Sequence, residues 1–303
     1  MPEVKYNTLL YEKDKEVPHI VYITLNRPEK NNALSLGPGE VTGELQEAIN
    51  RANNDLETKV VIFRGAGKNF SAGFDLSMVY RIYGGAPGVR PGQARRLQVD
   101  FDHILGMPRA VLNCSKVTIA QAHGWCIEAG MWIIECSDIA IAAKDAKFAH
   151  RGQRLAFGGM PFMPLELLQG HTKKLTELLI TGRTISGAEA EQVGIVTRAV
   201  EPEDLAAEVY NLAKAICLLP LDAIHMGKLH RRLIYDALGM NSTISNVVFH
   251  TMGTNLVYQP YEKENVFIRD REQMGAKGAF HKLHEAYEQA LAKTKHFKSY
   301  GSE

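Results

Sequence analysis

The sequence predicts an α/β protein in which strands with parallel pairing are followed by a mostly helical C-terminal region. The first observation is a set of four short runs rich in β-branched residues, at 20–25 (IVYITL), 59–65 (KVVIFRG), 116–122 (KVTIAQA) and 138–143 (DIAIAA). Nearly continuous hydrophobicity of this kind is typical of strands that are covered on both faces. The other two observations are a helical pattern between the first two runs and a change to helical patterns near residue 186.

The segment between the first two runs predicts a helix. Its apolar residues recur at the spacing of one helix face: Val41, Leu45, Ala48 and Ile49. A strand, a helix and a second strand in this order form a crossover connection, which joins parallel strands. The two flanking strands are therefore expected to pair in parallel.

Helical patterns dominate from Ser186 onward. Ser186 and Glu189 form a capping-box pair, and Gly194 marks the end of that helix. A second helix is predicted from the apolar face made by Leu205, Val209, Leu212, Ile216 and Leu219. The C-terminal third is therefore predicted to be mostly helical.

Composition and charge exclude several classes of protein. The chain has 303 residues, 45% of them hydrophobic, which is typical of a globular protein. Its net charge is +1, with acids and bases mixed throughout, so neither nucleic acid nor a membrane is an expected partner. The N-terminus lacks a secretion signal and no apolar run approaches about 20 residues, so a soluble cytoplasmic protein is expected.

The cysteines predict neither a zinc site nor a disulfide framework. They are scattered without the paired spacing of metal ligands: Cys114, Cys126, Cys136 and Cys217. Reduced and mostly buried thiols are expected. The strongest loop signal is 83–93 (YGGAPGVRPGQ), which is consistent either with a mobile cover over a site or with a plain surface loop.

Two turns predict a pocket of backbone N–H donors. In 67–79 (GKNFSAGFDLSMV), Phe74 lies between a strand and the start of a new segment. In 123–130 (HGWCIEAG), Glu128 and Ala129 lie just before another predicted helix. The N–H groups at a helix start lack helical partners and carry a positive partial charge, which suits a developing oxyanion. The alternative is that each segment is only a tight turn.

Four sequence blocks resemble the crotonase (enoyl-CoA hydratase/isomerase) superfamily. They lie in that family's order and spacing: LNRPEKNNAL (25–34), FSAGFDL (70–76), AQAHGWCIEAG through CSDIAIAAKDAKF (120–148) and LLITGRTISGAEAEQVGIV (178–196). The resemblance implies a crotonase-like spiral of ββα units over residues 1–200, which holds the coenzyme A and active sites. It also implies a helical region at 201–303 that builds a homotrimer or a dimer of trimers. The implied substrate is an acyl-CoA thioester, with no separate cofactor and no metal.

The resemblance assigns residues to an oxyanion hole and to a coenzyme site. Phe74 and Ala129 would be the two oxyanion-hole donors, and only their backbone N–H groups are used. Phe280 matches an aromatic residue that packs on the coenzyme, often of a neighbouring subunit, and Lys282 lies one residue from the family's usual lysine. The residues assigned to the coenzyme site are Lys30, Asn31, Ala33, Ala72, Phe280 and Lys282.

The chain departs from the family's hydratases at two positions. Those members carry two catalytic glutamates, and by spacing the corresponding residues here are Trp132 and Gly152. Neither side chain moves protons, so ordinary water addition is expected to be weak, because acid and base catalysis is worth about 100- to 10,000-fold. The nearest groups that could replace the pair are Glu128 and His150.

Each replacement has an alternative explanation. Glu128 stands where the family has glycine, and it is either a relocated acid/base or a carboxylate that caps the helix or pairs with a neighbour. His150 is either the proton-transfer residue, oriented by Glu128, or a hydrogen-bonded structural histidine. Arg151 and Arg154 either hold a substrate carboxylate or lie on the surface. The residues interpreted as structural are His123, Asp75 and Asp138.

A bulky or cyclic acyl group is predicted from the pocket residues, which are Trp132, Gly152, Met160 and Phe162.

Three functions remain open. The first is an active superfamily enzyme that stabilises a thioester enolate without the usual glutamates. The second is a carbon–carbon bond (ring-opening) hydrolase of the same fold, in which a histidine activates water. The third is a non-catalytic protein that binds acyl-CoA.

Overall fold

A computed structural model of the protein arranges its strands in two sheets. It describes residues 5–77, 92–155, 170–240, 248, 251, 266–294 and 299–300. The strands are β1 Leu9–Lys13, β2 Ile20–Leu25, β3 Val60–Gly65, β4 Val117–Ala122, β5 Trp125–Ile127, β6 Ile139–Ala143, β7 Lys147–Ala149, β8 Ile185–Ser186 and β9 Arg198–Val200. The larger sheet has the order β1-β2-β3-β4-β6-β9, and the smaller has the order β5-β7-β8.

Helices cover the sheets and fill the C-terminal region. They are α1 Val41–Asn54, α2 Gln93–Val99, α3 Gly106–Leu112, α4 Ala129–Cys136, α5 Thr172–Thr181, α6 Gly187–Val193, α7 Leu205–Ile216, α8 Leu221–Ala237 and α9 Val266–Leu291. Two short 3₁₀ turns lie at Pro28–Lys30 and Gly152–Leu155, and a π-helical turn at Asp100–Leu105 joins α2 to α3.

The predicted crossover is confirmed. β2 and β3 pair in parallel, with Ile20 opposite Val60, and α1 connects them. All four of the apolar α1 residues predicted to share a face are buried. β1 is antiparallel to β2 and the other neighbours in the larger sheet are parallel, as β-branched strands covered on both faces predict.

The chain repeats a unit of two strands. β4 joins the larger sheet and β5, which follows it directly, joins the smaller one; β6 and β7 repeat the pattern. The first unit ends in α4, which leads the chain from β5 in the smaller sheet back to β6 in the larger one. This is the spiral of ββα units that the resemblance implied.

The C-terminal helices mostly follow the prediction. Ser186 Oγ accepts a hydrogen bond of 3.1 Å from Glu189 N–H at the start of α6, and Gly194 follows its last turn with φ 88°, which confirms the predicted capping. α7 packs on β4 and β6 through Leu205 and Val209. The prediction was wrong for Leu219, which lies beyond the end of α7 and is 48% exposed.

Two structural predictions are confirmed outside the helices. The four cysteines are all free and buried. Asp138 accepts a 2.9 Å hydrogen bond from Thr118 N–H and pairs with Lys228 and Arg231, so it anchors α8 to the core. Among the described helices, none has the length and apolar composition that a membrane crossing requires.

Candidate active site

One cavity of about 410 Å³ collects most of the residues that the sequence singled out. Its walls come from the two predicted turns (72–77 and 127–132), from 151–155, from α2 with the following π-helical turn, and from 276–280 of α9. Most of the lining side chains are apolar, which is typical of a small-molecule site with a few polar groups for orientation.

The two turns pack directly against each other. A Cβ atom on Gly73 would lie 2.9 Å from the Ile127 carbonyl oxygen and 2.9 Å from the Glu128 Cβ, so only glycine permits this approach, at φ 81°. Ser71 forms a parallel bridge with Cys126, and Ser71 N–H donates to the Trp125 carbonyl at 2.9 Å. Phe74 and Ala129 are therefore carried on neighbouring strands of backbone.

The two predicted donors differ in how they meet the cavity: Phe74 lines it, whereas Ala129 is 0% exposed and is not among the described lining residues. Leu34 bonds the carbonyl of Gly73 and the N–H of Asp75, so the intervening N–H of Phe74 does not take part in that bridge. Ala129 is the first residue of α4, where an N–H has no partner within the helix. Within the parts of the chain that the structure describes, neither N–H has a hydrogen-bond acceptor.

Glu128 occupies a backbone conformation that normally requires glycine. Its φ is 49° and its ψ is −122°, immediately before α4. A non-glycine residue held in such a region typically costs about 1–3 kcal/mol, and residues of this kind cluster at functional sites. The side chain is 19% exposed and lines the cavity. The carboxylate is therefore held at the cavity wall against the preference of its own backbone.

The Glu128 carboxylate is the outermost of three groups that lie in a row. One oxygen accepts a hydrogen bond from the backbone N–H of Arg151. The other lies 3.4 Å from His150 Nδ1, and His150 Nε2 lies 3.8 Å from an oxygen of Glu135. His150 and Glu135 are each 2% exposed. His150 is not among the described residues that line the cavity, whereas Glu128 is.

The two positions assigned to the missing glutamates both face the cavity. Trp132 is on α4, one turn after Glu128, and its ring meets the Phe74 ring edge-on, with centroids 5.4 Å apart. Gly152 opens the 3₁₀ turn that follows β7 and also lines the cavity. Both residues therefore belong to the cavity wall, and their contact with an acyl group stays a prediction.

Neither arginine after β7 lies on the surface. Arg151 lines the cavity and donates to the Thr184 hydroxyl at 2.8 Å; burial, and then the nearby Arg154 cation, lower its pKa. Arg154 donates to the Thr181 carbonyl at 2.7 Å and to Glu288 at 2.9 Å. Arg154 therefore connects the site to α9.

The predicted coenzyme residues near the N-terminus surround the first turn. Ala72 lines the cavity and its N–H donates to the Asn31 carbonyl at 2.9 Å. Lys30 Nζ lies 3.6 Å from Asp75, and the Ala33 carbonyl accepts from Arg27 at 2.5 Å. Burial opposes ionisation of Asp75, but hydrogen bonds from Ser77 and Arg27 outweigh it, so its pKa is lowered.

The two coenzyme residues predicted on α9 differ in position. Phe280 lines the cavity, because Gly275, at φ 76°, breaks α9 and redirects the helix that follows. Lys282 is 59% exposed and pairs with Asp270 at 2.8 Å, and it is not among the described lining residues. Lys277, one turn before Phe280, does line the cavity.

Some predicted residues cannot be placed in this description. Met160 and Phe162 lie outside the described residues, as does nearly all of the predicted loop at 83–93. His123 Nε2–H donates to the Gly67 carbonyl at 3.0 Å, which is consistent with the structural role predicted for it.

Sequence reasoning missed three residues of the site: Arg96, Glu135 and Lys277. A signal existed for Glu135, since it is the one acid of an otherwise apolar stretch, MWIIEC, at 131–136. Lys277 has a weaker signal, its spacing of one turn from Phe280. Arg96 had none, because an arginine in a helix is ordinarily a surface residue.

Comparison with known proteins then identifies the family. A family model described as enoyl-CoA hydratase/isomerase matches residues 16–255. The chain belongs to the enoyl-CoA hydratase/isomerase family. Within this family it is similar to EchA13 of Mycobacterium tuberculosis, which is named as a candidate enoyl-CoA hydratase. The two are 31% identical over 240 residues, which cover 74% of each chain. A crotonyl-CoA hydratase of Syntrophomonas wolfei is 28% identical over 228 residues, covering 74% of this chain and 80% of the relative.

Solved structures of the family share the fold. A crystal structure of an enoyl-CoA hydratase from Mycobacterium smegmatis superposes with a TM-score of 0.79 and 25% identity, covering 92% of this chain and 94% of that one. An enoyl-CoA hydratase/isomerase from Xanthobacter autotrophicus Py2 gives a TM-score of 0.73 and 26% identity, covering 93% and 99%. The protein is thus an acyl-CoA-processing enzyme of the enoyl-CoA hydratase/isomerase type with the crotonase fold.

Proposed function

We propose that this enzyme stabilises a thioester enolate with the backbone N–H groups of Phe74 and Ala129, and that Glu128 moves the proton in place of the family's glutamate pair. The observation that carries the proposal is Glu128 itself. Its carboxylate lines the cavity beside Ala129, on a backbone conformation that glycine would adopt at lower cost.

The chemistry needs charge stabilisation at the thioester oxygen. When a proton leaves the carbon next to the thioester, negative charge develops on the carbonyl oxygen. Two preorganised N–H donors can bind that charge, and one such donor is typically worth about 2.7–4 kcal/mol in the transition state. The turns that carry Phe74 and Ala129 touch each other at Gly73, which supports a shared oxyanion site.

The proton itself is assigned to Glu128. His150 and Glu135 lie behind it, at 3.4 Å and 3.8 Å along the row. We assign His150 as a positioning residue, which holds the Glu128 carboxylate and passes charge changes to Glu135. This assignment favours Glu128 over His150 as the group that touches substrate, because Glu128 lines the cavity.

The coenzyme part of the bound substrate is proposed to extend out of the cavity along α9. Phe280 offers an aromatic face, and Lys277 offers a cation for the phosphates at the same wall. Lys282 is less suited, since Asp270 already pairs with it. The acyl group is proposed to be bulky or cyclic, because Phe74 and Trp132 meet edge-on in a cavity of about 410 Å³.

The two other functions are less well supported. A ring-opening hydrolase would need a histidine that contacts water at the substrate, and the described walls of the cavity do not include His150. A non-catalytic binder would have no use for a strained carboxylate beside the oxyanion donors.

Proton exchange tests the proposal without knowledge of the natural acyl group. In D₂O, the enzyme should catalyse the exchange of the α-proton of cyclohexanecarboxyl-CoA for deuterium. Mass spectrometry measures this exchange. Glu128→Gln should slow the exchange at least ~100-fold, because an amide cannot accept the proton. Calorimetry should give the same Kd for coenzyme A in both proteins, since the coenzyme residues are unchanged.

The matched control is Glu203→Gln, an exposed acid far along the chain, which should exchange at the wild-type rate. Exchange at the uncatalysed rate with cyclohexanecarboxyl-CoA and other acyl-CoA esters would contradict enolate chemistry. Wild-type exchange in Glu128→Gln would instead contradict only the role of Glu128.

A further inference from the structure

Arg96 and Asp100 form a buried ion pair at the cavity wall that the proposed proton transfer does not use. Arg96 is 2% exposed and Asp100 is 0% exposed. Arg96 Nε lies 3.4 Å from Asp100 Oδ2, and the same oxygen accepts a 2.6 Å hydrogen bond from the Thr251 hydroxyl. Arg96 lines the cavity, whereas Asp100 is not among the described lining residues. The pair therefore presents its cation to the cavity.

Burying an ion pair in a mostly apolar wall carries a desolvation penalty. Both charges lose their hydration, and well-packed apolar residues of similar size often serve a fold as well or better. The backbone conformation is also unusual here, because Asp100 begins the π-helical turn. Ile104, in the same turn, lines the cavity as well. Turns of this kind occur frequently at functional sites.

We propose that Arg96 recognises a neutral oxygen substituent, a ketone or a hydroxyl group, on the acyl part of the substrate. The inference rests on the proposed function, because it assumes that the cavity holds an acyl-CoA. A guanidinium only donates hydrogen bonds, so its partner must be an acceptor oxygen. The thioester carbonyl is assigned to the turns at 72–77 and 127–132, so the oxygen that meets α2 belongs to another part of the acyl group.

Charge decides between a neutral oxygen and a carboxylate. Asp100 pairs with Arg96, so a substrate carboxylate would place a second negative charge beside this cation. A ketone or hydroxyl oxygen accepts the same hydrogen bond without that charge. Among the described residues, the other charged side chains that line the cavity lie on different walls: Glu128, Arg151 and Lys277. Arg151 is engaged with Thr184, and Lys277 is assigned to the coenzyme.

The experiment compares three esters with one ring. Cyclohexanecarboxyl-CoA, 4-oxocyclohexanecarboxyl-CoA and 4-carboxycyclohexanecarboxyl-CoA differ only in the group opposite the thioester. We expect the 4-oxo ester to bind about tenfold more tightly than the plain ester, as one hydrogen bond from a charged donor gives at least this factor. The 4-carboxy ester should bind no more tightly than the plain one. Calorimetry gives Kd, and α-proton exchange in D₂O gives an independent readout.

The variants separate recognition from folding. Arg96→Met alone would leave Asp100 buried without a partner, so the test uses Arg96→Met with Asp100→Leu, which removes both charges. This double variant should lose the preference for the 4-oxo ester, so that the ratio of the Kd values for the plain and 4-oxo esters approaches one. Arg96→Lys keeps the charge and should retain only part of the preference. The matched control is Arg95→Met, an exposed arginine on the same helix, which should behave as wild type.

Three results would overturn the inference. One is equal binding of the 4-oxo and plain esters by the wild-type enzyme, which decides the matter even if the double variant does not fold. Another is a preference that survives in the folded double variant. The third is tightest binding of the 4-carboxy ester, which would make Arg96 part of an anion site. α-Proton exchange on the plain ester would continue in all three cases, so these failures are distinct from failure of the proposed function.

Discussion

At the scale of single residues, Glu128 combines a strained backbone conformation with a carboxylate that is proposed to move protons. Its φ of 49° lies where a side chain is disfavoured, yet its carboxylate bonds Arg151 N–H and lies 3.4 Å from His150. Glycine would suit the turn better. The proposed proton transfer would give the carboxylate a function that offsets about 1–3 kcal/mol of strain.

Two substitutions at this position should reverse the usual order of stability. Glu128→Ala removes the carboxylate and keeps the strain, whereas Glu128→Gly removes both. We expect the glycine variant to be more stable than the alanine variant by about 1–3 kcal/mol in urea unfolding. At an unstrained site glycine is ordinarily the less stable of the two. Both variants should lose α-proton exchange. Equal stability, or a more stable alanine variant, would show that Glu128 is not strained.

Glu135 is expected to act on catalysis through His150. Glu135→Gln keeps the shape of the side chain and removes its charge, so the row from Glu128 loses its last carboxylate. The exchange rate should fall about tenfold or more, while the Kd for coenzyme A stays at the wild-type value. A purely structural role would instead lower stability and leave exchange intact.

Another buried acid provides the comparison for Glu135. Glu44 accepts hydrogen bonds of 2.8 Å from the N–H groups of Asn7 and Thr8, and it anchors β1 rather than the cavity. Glu44→Gln should therefore reduce the unfolding free energy and leave the exchange rate unchanged. If the two variants behave alike, Glu135 is structural.

At the scale of secondary-structure elements, α9 is held to the site by contacts around His284. The Arg154 guanidinium donates to His284 Nδ1 at 3.2 Å and to Glu288 at 2.9 Å, and the Phe280 ring meets the imidazole edge-on at 3.9 Å. Burial, followed by the charges of Arg151 and Arg154, lowers the pKa of His284 to about 3. The imidazole is therefore neutral where it contacts Arg154.

Acidification should destabilise the docked α9. His284 is protonated below about pH 6.5 in the unfolded chain but only near pH 3 in the folded one, so the unfolded state binds more protons between these values. The resulting loss of unfolding free energy is absent at pH 7.5 and reaches about 2 kcal/mol at pH 5. Urea unfolding at both pH values should show a smaller loss for His284→Gln than for wild type.

The control for His284 is His230→Gln, because His230 is exposed on α8. That variant should lose as much stability as wild type on going to pH 5. Hydrogen exchange at pH 5 should also show earlier opening of residues 276–291 than of β2 and β3. An identical pH dependence in His284→Gln and wild type would contradict the assignment.

At the scale of the whole molecule, α8 leaves an apolar face uncovered. Met226, Leu229 and Leu233 are 66%, 52% and 59% exposed, although Asp138 anchors the opposite side of the helix to the core. A soluble monomer rarely exposes such a row. We infer that this face is a surface for association with another copy of the chain, and the trimer or dimer of trimers stays a prediction.

Charges placed on that face should separate the subunits. Leu229→Asp together with Leu233→Asp should lower the mass measured by light scattering towards that of one chain of 33.7 kDa. Far-ultraviolet circular dichroism should remain that of the folded protein, because both side chains are exposed. Glu203→Lys, a charge change at an exposed residue outside α8, should leave the assembly intact. An unchanged mass in the double variant would place the subunit contact elsewhere.

The sequence by itself determined four of the strands (β2, β3, β4 and β6), the crossover, the Ser186 cap and Gly194 end of α6, and the family, because these depend on local patterns and on blocks of fixed order. It also located the turns at Phe74 and Ala129 and the residue Trp132, which belong to such blocks, and Gly152, which follows one of them. Leu219 was misplaced, since periodicity alone does not show that α7 ends at Ile216.

Only the tertiary structure decided which charged groups act together. His150 follows β7, Glu135 lies on α4, and Arg96 reaches the cavity from α2, for which the sequence carried no signal. Burial and distance between segments set the energy of these groups, and neither is encoded in the neighbouring residues of the chain. For the same reason the strain at Glu128 was invisible until its φ angle was known, although its place in the sequence was what first drew attention to it.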